Sequence, residues 1–412
     1  GRGGRQRKRK LVSNYTKHKS LQILEDFFFI LVSIQHNMKF ADIPGLEEEK
    51  KRLIDFFKRD KIHHALLFFG LEGSANLPLA LSFATYINCD NKKENDSCGE
   101  CPSCLKMNKL IHPDVHLIFP VAPSPKITKE VVSDKYIESW RVSYLENPYM
   151  NVFDWFETCG IENKQPNISK DEARNIIKKL SLKPFESRFK INVIWLPEFM
   201  HNSTANALLK ILEEPPGDTL FFLVSNNYQK LLSTILSRVQ MFKVKSFEDE
   251  DIKNYLRKFD DVSESEVDSA IYLSGSNINT AEKILRDATV DNLNYLKEWL
   301  RNCYSENFLE INKKLDWFND LSKIKKRAFL MYSLKLMREA LVSKIDLSLV
   351  KISENEKNFV SNFRKTLDQE SLEDLILLLD RSVSYLDRNA NPKILFLDLS
   401  IKISNFFQKV KT

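Results

Sequence analysis

A doubly wound α/β domain followed by an all-α region is the fold class this sequence predicts, and three observations carry the prediction. From Met38 to about residue 245, short apolar runs alternate with helical patterns. The runs, Ala65–Phe69, Val115–Phe119, Ile191–Leu196, Leu220–Ser225 and Val239–Val244, show little apolar–polar alternation. Strands of a parallel sheet covered on both faces read that way. After Lys245 the strands stop, and amphipathic helical patterns run to the end of the chain.

With 412 residues and 43% hydrophobic content, the chain is long enough for two or three domains with cores of their own. A net charge of +6 permits contact with nucleic acid without predicting it. No apolar run approaches the roughly 20 residues that span a bilayer. FFFILVSI at 27–34 is short and has no small-residue cleavage pattern behind it. The expectation is a cytoplasmic protein with no membrane partner. Residues 1–37, opening GRGGRQRKRK, share no pattern with the rest of the chain and read as a basic extension, disordered or not native, with a nucleic-acid-binding arm as the alternative. The folded protein is expected to begin near Met38.

Taken in order, MKFADIPGLEEEKKRLIDFFKR opens a helix with apolar spacing at Leu53, Phe56 and Phe57. The strand Ala65–Phe69 comes next, then GLEGSANL and a helix over Leu77–Ile87. That strand–loop–helix setting belongs to a phosphate-binding loop of the form G-x-x-x-x-G-K-[ST]. Gly70 and Gly73 fall in the loop, but Ala75 stands for the second glycine of the frame, Asn76 for the lysine and Leu77 for the hydroxyl residue. No cation at position 76 reaches a β- or γ-phosphate, and Leu77 cannot ligate Mg2+.

Directly after the loop helix, CDNKKENDSCGECPSC spaces Cys89, Cys98, Cys101 and Cys104 as C-x8-C-x2-C-x2-C. Four thiolates at such spacing close a tetrahedron around one Zn2+ and leave no open position for substrate water, so a structural ion is expected. An Fe–S cluster, a redox Cys-x-x-Cys pair or four unrelated cysteines are the other readings. The fourth cysteine at longer range favours the metal knuckle. Residues 120–168, with Pro120, Pro123, Pro125 and aromatic text, interrupt the alternation as an insertion with some helix of its own.

A helix is expected over Lys170–Leu180, then the strand Ile191–Leu196. Its end reads Trp195-Leu196-Pro197-Glu198 where a nucleotide-hydrolysing domain of this type carries an Asp-Glu pair. STANALLKILEEPP puts Ala205, Leu208, Leu209 and Leu212 on one face of a helix that Pro215 and Pro216 end. Ser237, Arg238 and Val239 lie at the mouth of the last strand. An arginine there is suited to a phosphate oxygen. Beyond Lys245, helices with acidic starts precede a Gly275-Ser276-Asn277 break, and NLNYLKEWLRNCY, RAFLMYSLKLMREALV and LEDLILLLDRSVSYLD are amphipathic.

FADIPGLEEEKKRL, HHALLFFG, the four-cysteine knuckle, HPDVHLIFP, NALLKILEEPP and STILSR occur in one order and spacing. On these the chain from Met38 to about residue 290 resembles the bacterial clamp-loader subunits of the AAA+ class. The resemblance implies an AAA+ α/β domain over 38–245 with its zinc knuckle at 89–104; the insertion at 120–168 is not part of the family's pattern. A helical lid at 246–290 and a helical collar at 291–412 complete the chain. It also implies that Ser237 and Arg238 match the family's S-R-C motif, whose arginine reaches into the ATP site of the adjacent motor subunit; Val239 replaces the usual Cys. Asn279 stands about where motor subunits carry a phosphate-sensing Arg.

Without the intact loop or the Asp-Glu corner, the chain is expected to match the family's stator, a subunit that neither binds ATP nor is an enzyme by itself. Its implied partners are the motor (gamma/tau) and delta subunits in a five-membered ring, and through them the sliding clamp and primer–template DNA. Two rivals stand beside this reading. One is a motor ATPase with an unorthodox loop. The other is a zinc-dependent DNA-binding protein acting alone through residues 1–10 and Lys92, Lys93, Lys106 and Lys109.

Overall fold

A computed structural model describes residues 38–124, 127–161, 164–258, 262–286, 292–346 and 352–411, so the extension at 1–37 lies outside the described residues. The chain divides between Phe247 and Glu248 into two compact units.

The first unit is built on five strands, β1 (Ala65–Phe69), β2 (Val115–Ile118), β3 (Lys190–Trp195), β4 (Thr219–Ser225) and β5 (Gln240–Lys243), in the spatial order β2-β3-β4-β1-β5. All four pairings are parallel. The strands lack alternation because both faces are covered. Ala65, Leu67, Ile194, Phe221 and Leu223 pack toward one layer of helices, including Ala173 and Ile176 of one and Leu208 and Leu212 of another. On the opposite face Phe222 stacks on Phe83 at 5.5 Å, and Phe68 meets Phe242 at 5.3 Å. This is the doubly wound parallel α/β class expected from the sequence, with each strand within a residue or so of its expected limits.

The helices of this unit are α1 (Glu47–Lys58), α2 (Asn76–Asn88), α3 (Pro102–Asn108), α4 (Ile137–Glu146), α5 (Val152–Thr158), α6 (Lys170–Leu180), α7 (Asn202–Glu213) and α8 (Ser233–Leu236). Every residue of α2 is buried, so the helix that follows the loop is central to the unit. Ser169 caps α6 by accepting from the Glu172 amide, and the α7 face expected to be apolar buries Ala205, Leu208 and Leu212.

The insertion after β2 makes an aromatic satellite core. Phe119 stacks on Trp140 at 5.2 Å and meets Trp155 edge-on at 5.0 Å, while Trp155 Nε1 donates to the Pro120 carbonyl at 2.8 Å. Tyr136 donates to the Ala122 carbonyl at 2.7 Å. These bonds hold the described residues of a long connection in place.

The second unit is all-α from α9 (Asp249–Leu256) through α10 (Glu264–Ser274), α11 (Ile278–Arg286), α12 (Asn292–Tyr304), α13 (Phe308–Asp320), α14 (Lys323–Ile345), α15 (Glu354–Phe363), α16 (Gln369–Asp387) and α17 (Pro392–Lys411). Gly275 ends α10 in the left-handed conformation, φ 63°, at the expected break. Its largely aliphatic core includes a stack of aromatics, Trp299 on Phe396 at 4.6 Å and Phe396 on Phe318 at 4.5 Å, with Trp299 Nε1 bonded to Ser400 Oγ at 2.9 Å. Leu273 of α10 belongs to the same core as the later helices, so the segments expected as lid and collar form one compact unit. Among the described residues, no helix is long and apolar enough to cross a membrane.

Candidate functional site

Ligands of open α/β sheets bind at the carboxyl ends of the strands, and the loop from Gly70 to Leu77 lies there, between β1 and α2. A Cβ on Gly70 would stand 2.5 Å from Asn76 Oδ1 and 2.6 Å from the Val244 carbonyl, so only glycine fits the approach of β5's end. Gly73 takes φ 85°, a conformation that favours glycine. The three replaced positions turn inward. Ala75 and Leu77 are buried apolar residues of the core. Asn76 is 3% exposed, and its Nδ2 donates to the Leu71 carbonyl at 3.4 Å and to Asn226 Oδ1 at 3.0 Å. A neutral amide at position 76 thus ties the loop to the residue after β4.

The second corner is closed in the same way. Glu198 lies just beyond β3, and its Oε1 accepts from the backbone amides of Asn226 at 3.0 Å and Asn227 at 3.2 Å. Burial pushes its carboxyl above the usual range, against amides that draw it down. The one carboxylate of this corner is a backbone clamp. The loop also carries its own carboxylate, Glu72, which accepts from Asn151 Nδ2 of the insertion at 3.0 Å. An anion among the loop residues opposes a second anion there. Asn226, Glu72 and Asn151 were not singled out by sequence reasoning, and their pairings join positions as far as 150 residues apart.

Arg238 does not join this cluster. Gln240 pairs with Leu66 near the start of β1, and Lys243 pairs with Phe69 at its end. Arg238, just before β5, therefore lies at the amino edge of the sheet and the loop lies at the carboxyl edge. Its guanidinium is held from several sides. Nε donates to Glu213 Oε1 at 2.6 Å, Nη2 bonds the same oxygen, and Nη1 donates to the Thr234 carbonyl at 2.8 Å and to Ser237 Oγ at 3.2 Å. Ser237 is exposed and serves here as a partner of the arginine.

The four cysteines converge. Their Sγ atoms lie within 4.8 Å of one another, and all four are buried. Individual separations are 3.6 Å for Cys89–Cys98, 3.8 Å for Cys98–Cys104 and 4.0 Å for Cys89–Cys101. A metal–sulfur bond of about 2.3 Å gives a tetrahedron edge of about 3.8 Å, so the donor set fits one tetrahedral ion. Backbone amides support it in series: Cys98 N donates to Cys89 Sγ, Cys101 N to Cys98 Sγ and Cys104 N to Cys101 Sγ, at 3.3, 3.3 and 3.4 Å. Such bonds stabilise thiolate over thiol.

The knuckle also fastens the first described residues. Asp96 accepts from the amides of Phe40 at 3.1 Å and Ala41 at 3.0 Å, and Asn108 Oδ1 accepts from Met38 N at 2.9 Å. Two of the lysines proposed for a stand-alone DNA face are engaged, Lys92 with the Cys89 carbonyl at 2.6 Å and Lys106 with Glu186.

The family model and the curated relatives that match this chain are subunits of DNA polymerase III. The family described as "DNA polymerase III, delta subunit" matches residues 45–248. The tau/gamma subunit of DNA polymerase III from Haemophilus influenzae is 28% identical over 53% of this chain and 25% of its own length. The tau subunit from Bacillus subtilis is 24% identical over 89% of this chain and 61% of its own. The delta' subunit from Buchnera aphidicola is 27% identical over 68% of this chain and 73% of its own. The chain thus spans between a quarter and about six tenths of the first two of these relatives.

Proposed function

We propose, for a chain that belongs to the clamp-loader subunits of DNA polymerase III, that it is the family's non-hydrolysing stator, of delta-prime type. The bond from Asn76 Nδ2 to Asn226 Oδ1 is the observation that carries this reading. A nucleotide site of this kind needs a cation on the β- and γ-phosphates and a hydroxyl on Mg2+. Here a neutral amide holds the loop shut, Leu77 is buried in the core, and Glu198 is bonded to backbone amides. The identities to tau and delta' relatives are nearly equal, so the separation between motor and stator rests on these residues.

On this reading the chain occupies one of five positions in a ring with gamma/tau motor subunits and a delta subunit. The ring opens the sliding clamp and sets it on primer–template DNA. Arg238 acts in trans on the ATP of the neighbouring motor, where its permanent charge and planar fork meet the charge that develops on the transferred phosphoryl group. Its place at the amino edge of the sheet, away from this chain's own loop, supports action on a neighbour. Zn2+ on Cys89, Cys98, Cys101 and Cys104 is structural, since four protein thiolates fill its coordination.

Reconstitution with Arg238→Ala tests the reading. Arginine fingers contribute about 10³–10⁵ in rate at the site they serve, so ATP turnover of the adjacent motor should collapse while the ring still assembles. Unchanged turnover would remove Arg238 from the mechanism. A motor ATPase is the second reading, favoured by the alignment of Bacillus subtilis tau over 89% of this chain. ATP binding by the isolated chain would bring it forward.

A further inference from the structure

Arg238 is already bonded before any phosphate is near it. Its guanidinium carries five N–H donors. Four hydrogen bonds engage it within the chain: Nε and Nη2 on one oxygen of Glu213, and Nη1 on the Thr234 carbonyl and Ser237 Oγ. These fix both sides of the fork and leave a donor at the far end of Nη2. Glu213 is the last residue of α7, with Glu214 between it and the two prolines that follow, and the buried Leu208 and Leu212 anchor its helix. Thr234 and Ser237 lie in and just after α8. A long side chain that would otherwise sample many rotamers is thereby held in one, with its far end set by two helices.

Resting on the trans-acting reading of Arg238 given above, we propose that Glu213 is the positioning residue of Arg238, fixing the guanidinium so that its remaining Nη2 donor meets a phosphate oxygen of the neighbouring subunit's nucleotide. Holding a catalytic group in its working geometry avoids the entropic cost of ordering it at each turnover. The role Glu213 plays is geometric: it accepts two bonds through one oxygen. An amide oxygen in the same place does this as well, without the negative charge. The side chains of the pair remain 28% and 47% exposed, which limits what the pair contributes to stability.

The test compares Arg238→Ala, Glu213→Ala and Glu213→Gln in the complete reconstituted complex, with kcat and KM for ATP measured alongside the melting temperature of each chain. The expected pattern is a large kcat loss for Arg238→Ala, a loss of about three- to tenfold for Glu213→Ala at unchanged KM, and recovery to near wild type in Glu213→Gln. A merely structural role predicts a lowered melting temperature and no rescue of kcat by the amide. Wild-type kcat for Glu213→Ala, with Arg238→Ala still impaired, overturns the positioning role and leaves the trans reading intact. A rise in kcat for both Glu213 variants also overturns it, because Glu213 would then be a brake. Wild-type kcat for Arg238→Ala removes the reading and this inference together. Should Glu213→Ala fail to assemble, Glu213→Asp decides: drawing the carboxylate back by one methylene lowers kcat if position matters, and unchanged kcat overturns the proposal.

Discussion

Gly70 has room for no side chain, because a methyl group there would overlap Asn76 Oδ1 and the Val244 carbonyl. Overlap with backbone cannot be relieved by rotating a side chain. Gly70→Ala is expected to destabilise the first unit by about 1–3 kcal/mol, read as a lower denaturation midpoint. Asn76→Ala removes the bond to Asn226 and should cost on the order of 1 kcal/mol without creating affinity for ATP, since no cation replaces it. His116 offers a test in pH. Burial in β2, with Lys179 and Lys190 nearby, lowers its pKa from 6.5 to about 4, so the folded chain holds the neutral ring. The unfolded chain takes up a proton at higher pH than the folded one. Stability from this group is therefore complete above about pH 6.5 and falls as pH drops toward about 4, by at most about 3 kcal/mol. His116→Val should flatten that part of the stability–pH curve. An unchanged slope would assign the effect to other groups.

Among the elements, the five strands follow from the sequence nearly residue by residue, because a parallel sheet covered on both faces writes unbroken apolar runs into it. The convergence of the four cysteines is equally legible, since all four lie close together in the sequence. What sequence reading misses is set by long-range register. Glu213 meets Arg238 only because β1 pairs with both β4 and β5, and Asn226 meets Asn76 only because Ser225 lies beside Phe69. Nor does the aromatic composition of the insertion show that Asn151 will reach Glu72 of the loop. The knuckle carries a prediction of its own. Asp96 and Asn108 hold the amides of Phe40, Ala41 and Met38, so metal removal should release that segment along with residues 89–104. Chelation should free about one zinc per chain and speed proteolytic cleavage near residues 38–43. Cleavage at the same rate with and without metal would separate the strap from the knuckle.

At the scale of the whole chain there are two cores: one set between sheet and helices, the other between helices alone. Each unit has the buried interior that independent folding requires. Residues 38–247 expressed alone are expected to melt in one cooperative transition and to retain the cysteine-bound metal; a fragment without cooperative unfolding would mean the units depend on each other. The central claim is that the first unit keeps the architecture of a nucleotide-binding domain with its phosphate loop closed by Asn76. Calorimetry of ATP and ADP with the purified chain, in the presence of Mg2+, tests it most directly. The account predicts no heat of binding for either nucleotide. Saturable binding in the micromolar range would contradict it and place the chain among the motor subunits.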